Sequence, residues 1–352
     1  MKSLIVSLSI TLLLLFVSCA PDKESTDNHR TPEISWKLAS SFPNSFDAVY
    51  GQAESFSKRV SELTNGNFTI RTYQGGELIG PLDVFDAVQS GAIEMGQSAG
   101  FYYTGKDETL VFDSGIPFGL TPRQQNAWLY YGGGLDLLQK AYKKHKILYL
   151  PGGNTGHQMG GWFNKDVANL SSLSGLRIRI PGYGGEIFNR LGATVQMIPG
   201  GEIYTSLERG AIDATEWLGP YDDLKAGLNE IAKKYYYPNW WEIGTTVALY
   251  INVDKWNELP DSYKSAIEVA ASEANLMMLS HFDHNNSEAL QLLTGKHTDI
   301  SEFPEDFIKA ARSETMTLLS EKAIQNEEFR VIYESWKAYQ IKQQEWFKLS
   351  YK

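Results

Sequence analysis

The sequence predicts an α/β fold of two lobes with a hinge and long C-terminal helices. Three observations carry it: a helix and strand unit that occurs twice, alternating strand and helix patterns around each copy, and a purely helical pattern near the end. Residues 83–98, DVFDAVQSGAIEMGQS, match residues 202–217, EIYTSLERGAIDATEW, position for position. Each copy reads as an amphipathic helix stopped by a glycine, Gly91 or Gly210, and followed by a short buried strand. Ligands of open α/β sheets gather beyond the carboxyl ends of the strands. Gln97, Ser98, Tyr102 and Tyr103 after one copy, and Glu216 and Trp217 after the other, are therefore expected to face a ligand.

In chain order, residues 36–40 read as a strand and residues 45–63 as a helix with Phe46, Val49, Ala53, Phe56 and Val60 on its apolar face. Thr64-Asn65-Gly66-Asn67 is a turn, and residues 68–73 alternate as a strand. This order implies a mainly parallel sheet with covering helices. Residues 147–150 form another strand, and the loop 151–156, PGGNTG, is expected to cross between lobes. The second lobe contributes strands at 159–163, 176–180 and 194–197, a helix near 186–191, and the second copy of the repeat. Residues 220–235 are expected to be helical and to return to the first lobe, with a strand at 245–252 leading back. The expected division is 34–155 with 217–246 as lobe I, 156–216 with 247–303 as lobe II, and 304–352 as a C-terminal helical segment. Phe329, Tyr333, Trp336, Tyr339, Trp346 and Phe347 recur at three- and four-residue steps along the last helix. Such a stripe suits packing within the chain or a homodimer contact.

The 352 residues carry a formal net charge of −10. That argues against nucleic acid or an anionic membrane surface as partner, though not against a small anion in a local site. Residues 1–18 contain Lys2 and then an apolar run, 4–17, shorter than the ~20 residues that cross a bilayer. This segment reads as an export signal. Cys19 is the only cysteine. Its place, after the small Ser18 at the end of the run, resembles a bacterial lipoprotein signal, which implies lipidation of Cys19 and an extracytoplasmic, membrane-anchored protein. Residues 19–33 are polar and read as a flexible tether. No second cysteine is present to form a disulfide, so an apolar core must hold the roughly 320 remaining residues, enough for two domains.

Several catalytic patterns are missing or weak. The glycine clusters at 132–134, 152–156 and 182–185 lack phosphate-loop spacing, and there is no GxSxG elbow. His281 and His284 have helical spacing without a third metal ligand, which suits a packed or solvent-facing pair. The lack of a cysteine after Cys19 excludes thiol catalysis in the mature domain.

The strings GAIEMGQS, LSGLRIRIPG, GAIDATEWLGPYDD and DKWNELP resemble the solute receptors of tripartite ATP-independent periplasmic (TRAP) transporters, the DctP family, from about Ile34 into the last helix. The resemblance implies a periplasmic binding protein-like fold whose cleft closes on an organic acid, delivery to small and large membrane permease subunits, and no covalent chemistry. It also implies an arginine on a second-lobe strand that takes the ligand carboxylate. A planar guanidinium matches a carboxylate with two parallel hydrogen bonds, which lysine cannot reproduce. Arg177 and Arg179 share a strand face, and the motif places the clamp at Arg179. The Glu216-Trp217-Leu218-Gly219-Pro220 string resembles the branch that binds 2-oxo acids or lactate, such as pyruvate or 2-oxobutyrate, together with a metal ion. By that resemblance Gln158, Glu216, the Trp217 carbonyl and Glu242 hold the ion, and Tyr102 and Tyr103 contact the substrate, with Arg179, Gln158 and Trp217 also at it.

A donor set made only of oxygens suits Na⁺ or Ca²⁺ rather than zinc or copper. Two glutamates and a substrate carboxylate against one arginine leave two uncompensated negative charges, costly in a buried site. Ca²⁺ neutralises them and Na⁺ leaves one, while the resemblance includes sodium-dependent receptors, so both ions stay candidates. Trp217, Trp240 and Trp241 are expected to wall the cleft. Two other classes share these features: a periplasmic lyase or dehydratase using Glu216 or Glu242 as acid or base, and a ligand-presenting sensor subunit.

Overall fold

The two copies of the repeat fill matching places in two sheets. A computed structural model describes residues 32–296 and 298–350; the expected export signal, Cys19 and nearly all of the tether lie outside the described residues. Along the chain, β1 (Ile34–Ser40), α1 (Tyr50–Leu63), β2 (Phe68–Tyr73), α2 (Val84–Ser90) and β3 (Met95–Ser98) alternate as predicted. Helices α3 (Val111–Ser114), α4 (Pro122–Tyr131) and α5 (Gly134–Lys143) precede β4 (Ile147–Asn154). Next come β5 (Trp162–Phe163), β6 (Arg177–Arg179), α6 (Gly182–Arg190), β7 (Thr194–Gln196), α7 (Ile203–Glu208) and β8 (Ala214–Thr215). They are followed by α8 (Pro220–Lys225), α9 (Leu228–Ile231), β9 (Lys234–Tyr237), β10 (Thr246–Asn252) and α10 (Val253–Asn257). The chain ends with α11 (Asp261–Gly295), β11 (Asp299–Glu302), α12 (Glu305–Gln325) and α13 (Glu327–Ser350).

Local chemistry explains several boundaries. Helix α1 starts at Tyr50 rather than residue 45 because residues 43–49 form turns, with the Phe46 and Val49 N–H groups donating to the Pro43 and Phe46 carbonyls. Gly91 and Gly210 after the two repeat helices have φ of 76° and 68°, the left-handed stop that glycine adopts without a Cβ penalty. The expected helix at 220–235 is instead two short helices and a strand, because Gly227 at φ 70° ends the first and the Tyr-rich segment after Lys234 pairs as β9.

The first sheet has the order β2-β1-β3-β10-β4, and the second β11-β9-β5-β8-β6-β7. In each, the strand after the repeat helix lies parallel to one neighbour, β1 or β6, and antiparallel to the other, β10 or β5. The pairing corrects the expected lobe boundaries. Strand β9, expected with lobe I, belongs to the second sheet, and β10, expected with lobe II, lies in the first. The reason is burial: all seven residues of β10 are buried, so this run fits between β3 and β4 and not at a solvated position. The chain therefore crosses between sheets three times, at residues 155–161, at 238–245 and, between β10 and β11, through the segment that contains α10 and α11.

Helix α11 runs 35 residues, about 50 Å at 1.5 Å per residue, and packs on α1, β4 and α8. The aromatic stripe of α13 divides. Phe329, Tyr333 and Trp336 are buried within the chain, with the Phe112 ring 4.8 Å from Phe329 and 6.4 Å from Trp336. Trp346, one helical stretch later, is 60% exposed. Asn326 separates α12 from α13 by capping the latter, its Oδ1 accepting from the N–H groups of Glu328 and Phe329 at 3.0 and 3.1 Å. Replacing Asn326 by alanine is expected to cost about 1 kcal/mol, read as a lower midpoint in urea unfolding at unchanged slope.

Candidate functional site

Strand β6 ends at Arg179 and strand β8 ends one residue before Glu216, and the two strands lie side by side and parallel. Arg179 and Glu216 therefore emerge at the same carboxyl edge, and their side chains form a buried ion pair. Arg179 is 1% exposed and Glu216 2%. The guanidinium is held in plane by its Nε, which donates to the Ile198 carbonyl at 2.9 Å. Its Nη2 reaches the Tyr102 hydroxyl at 3.4 Å, and its carbon lies 5.5 Å from the centre of the Trp217 ring. Arg177, two residues earlier, is excluded as the clamp: it forms a forked pair with Asp213, Nε to Oδ2 at 3.0 Å and Nη2 to Oδ1 at 2.7 Å. That pair holds the Asp213 carboxyl well below its ordinary range.

The first sheet supplies Tyr102 from a 3₁₀ turn, Gly100–Tyr103, just beyond β3. The turn is fixed from behind by α3, where Asp113 Oδ1 accepts from the Gly100 N–H at 3.0 Å and Ser114 Oγ from the Phe101 N–H at 2.9 Å. Successive residues of such a turn diverge by about a third of a revolution, which corrects the expected role of Tyr103. Only Tyr102 borders the cavity; the Tyr103 hydroxyl turns inward to Ser98 at 2.8 Å. Gln97 and Ser98 likewise serve the interior, bonded to Ser40 and Val49 and to Ser41.

The crossings at 155–161 and 238–245 complete the site. The Thr155 N–H donates to the Thr245 carbonyl at 2.9 Å, and the Thr245 N–H to Thr155 Oγ1 at 3.0 Å. Gln158 lies behind this pair and does not border the cavity; its Nε2 donates to both threonine hydroxyls, at 2.8 and 3.1 Å. Asn239 sets the orientation of that amide. Its Oδ1 accepts from the N–H groups of Trp241 and Glu242, so its Nδ2 faces Gln158 Oε1 at 3.0 Å. The same two bonds form the loop that aims Glu242 at Glu216. Thr155, Thr245 and Asn239 were not singled out in the sequence, although an asparagine two and three residues before Trp241 and Glu242 is a recognisable side-chain-capped turn. Trp240 and Trp241 do not border the cavity: they are packed in the interior, with Phe118 stacked on Trp240 at 5.2 Å and Phe188 at 5.6 Å from each.

These groups surround a nearly closed space of about 10 Å³ bordered by Tyr102, Thr155, Arg179, Glu216, Trp217 and Glu242, room for roughly one water. Burial drives the Glu216 carboxyl above its ordinary range despite Arg179 beside it. Burial and the neighbouring Glu216 charge drive Glu242 further up. One guanidinium balances one carboxylate, and the second acid stays charged in this setting only if a cation joins it. Two carboxyls in contact, a nearby amide oxygen and the absence of histidine or cysteine fit a hard cation. Among the described residues no cluster of three or more His, Cys, Asp or Glu side chains exists, so any cation site here depends on amide, carbonyl or ligand oxygens as well.

A family model, bacterial extracellular solute-binding protein, family 7 (DctP), matches residues 39–326. A monocarboxylate 2-oxoacid-binding periplasmic protein of Nostoc sp. is 45% identical over 329 residues, 94% of this chain and 90% of its own length. A TRAP transporter solute-binding protein of Bordetella bronchiseptica, a mixed-occupancy dimer with copurified calcium and picolinate in one active site and an apo site, matches with a TM-score of 0.89 at 41% identity, over 91% of this chain and 95% of that one. A periplasmic TRAP solute-binding protein of Pseudoalteromonas atlantica with bound sodium and pyruvate matches with a TM-score of 0.88 at 38% identity, over 90% and 97%. The two-sheet architecture, the arginine at the cleft and these relatives agree: the chain belongs to the DctP family and is a solute receptor of the TRAP type.

Proposed function

We propose that this chain binds pyruvate or a similarly small 2-oxo or 2-hydroxy monocarboxylate together with one Na⁺ or Ca²⁺, and passes the acid to the small and large membrane subunits of a TRAP permease. The observation that carries the reading is the sealed charge set: one guanidinium and two acids facing a space of about 10 Å³. The relatives that bind pyruvate, picolinate or 2-oxo acids support it. Arg179 takes the carboxylate with its Nη edge, Tyr102 donates from the opposite sheet, and the Trp217 ring covers the pair. Glu216, Glu242, the Trp217 carbonyl and, after a small shift, Gln158 Oε1 hold the cation, which would supply a point of positive charge for the acid's remaining oxygens. With both glutamates serving the cation, neither is free to act as a base on the bound acid, which suits a receptor that binds without covalent chemistry. The exposed end of α13 at Trp346 suits a contact with a second copy, and Cys19 suits a lipid anchor outside the cytoplasm.

Calorimetric titration with pyruvate and lactate, after chelation and then with Na⁺ or Ca²⁺ restored, tests the reading. Binding is expected to fall about 10²-fold or more without a cation, since an uncompensated carboxylate in a buried site costs on the order of 3 kcal/mol. Equal affinity in metal-free buffer would exclude the shared cation and leave the receptor assignment standing.

A further inference from the structure

Trp217 stands between two spaces. It borders the sealed cavity at Arg179, and on its other side an open pocket of about 270 Å³ whose walls include Pro43, Phe46, Ile203, Tyr204 and Leu228. The indole is 4% exposed. The Phe46 ring packs on it at 4.7 Å, tilted by 42°. The far edge of its six-membered ring rests on Gly200, where a Cβ would stand 2.3 Å from the ring. Its Nε1 is buried without a hydrogen-bond partner, so shape and not polar bonding holds the ring in place.

We infer that the Trp217 indole sets the upper chain length of the acids this site accepts, by closing the inner cavity against the outer pocket; the inference rests on the monocarboxylate reading above. An acid gripped at Arg179 lies within one ring width of the indole, and further carbons meet its face. A smaller side chain at position 217 joins the two spaces. The joined space offers an alkyl chain the apolar walls of Phe46, Ile203 and Leu228. Gly200 belongs to the same device, because any side chain there pushes the ring toward Arg179 and shortens the cavity.

The test is calorimetry of straight-chain 2-oxo acids of three to six carbons, with saturating cation, on the wild-type protein and on Trp217→Phe, which retains an aromatic contact with Phe46. The wild type is expected to lose affinity steeply with length, by about tenfold or more per methylene beyond the limit. Trp217→Phe is expected to narrow the ratio between the three- and six-carbon acids at least tenfold. Gly200→Ala is expected to widen the ratio between three and four carbons, and it carries the test if Trp217→Phe fails to fold by circular dichroism. An unchanged length profile in the folded variants, or a flat profile in the wild type, overturns the inference. Binding of none of these acids by the wild type overturns the ligand reading instead.

Discussion

Arg179→Lys is expected to weaken binding of a small monocarboxylate roughly 10²-fold at saturating cation, with the fold retained. The variant keeps the positive charge opposite Glu216, so the buried carboxylate is not left alone and the cost to folding stays small. What is lost is geometry. In the native site three edges of the guanidinium have separate tasks: Nε on the Ile198 carbonyl, Nη1 on Glu216, and Nη2 toward Tyr102 and the cavity. An ammonium on a flexible stem is a single point of charge and cannot hold the Glu216 side and present a fixed pair of donors to a ligand as well. Two charge-assisted hydrogen bonds reduced to one shared contact account for about 3 kcal/mol. Titration calorimetry gives the affinity, and a thermal melt of the ligand-free variant separates this loss from unfolding. An affinity within a factor of two or so of wild type would mean that the carboxylate is held elsewhere.

The placement of candidate residues was legible in the sequence where a motif fixed both the residue and its strand. Arg179 ends β6 and Glu216 directly follows the adjacent parallel β8, and the Gly-Ala-Ile-acid string marked where the second of these strands begins. Tyr102 and Tyr103 were indistinguishable by sequence, because neighbouring residues of a 3₁₀ turn share composition and differ only in direction. The lobe boundaries failed for a related reason. Periodicity identifies a buried strand such as β10 but carries no information on which sheet receives it, and pairing with β3 and β4 is a long-range matter. Thr155, Thr245 and Asn239 escaped because they act on other groups of the site: they tie the crossings at 155–161 and 238–245 together and orient Gln158 and Glu242. Trp240 and Trp241 were misplaced because tryptophan beside an acid reads equally as cleft wall or as core.

Metal-free protein is expected to lose stability as pH rises from about 5 to 8, and saturating cation to remove part of that loss. Five buried carboxyls hold protons in the folded state above their ordinary range, burial being the largest cause for each: Asp113 to about 7, Asp223 to about 6, and Asp222, Glu216 and Glu242 upward as well. In the unfolded chain the same groups ionise near their ordinary values of 3.8 and 4.5. Between those values and the raised ones the folded state binds more protons than the unfolded state, so stability falls with pH, by about 1.4 kcal/mol per pH unit for each proton of difference. Asp107 acts the other way: Lys144 and His145 outweigh its burial and hold it at about 2. Its contribution is present above the ordinary aspartate range and is lost only as acid is added below about 4, outside the window. In the proposed site the cation needs Glu216 and Glu242 ionised, so its binding is expected to expel their protons and its affinity to rise with pH. It leaves Asp113, Asp222 and Asp223 untouched, and that share of the slope should persist. Thermal melts at pH 5, 6, 7 and 8 with chelator and with cation measure the two slopes, and calorimetry in buffers of different ionisation enthalpy counts the protons released. Glu242→Gln should reduce the metal-free slope by the share of that group and abolish the response to cation together. A metal-free slope that neither cation nor Glu242→Gln changes would show that the two glutamates ionise without help, and proton release of zero on cation binding would show the same by an independent route.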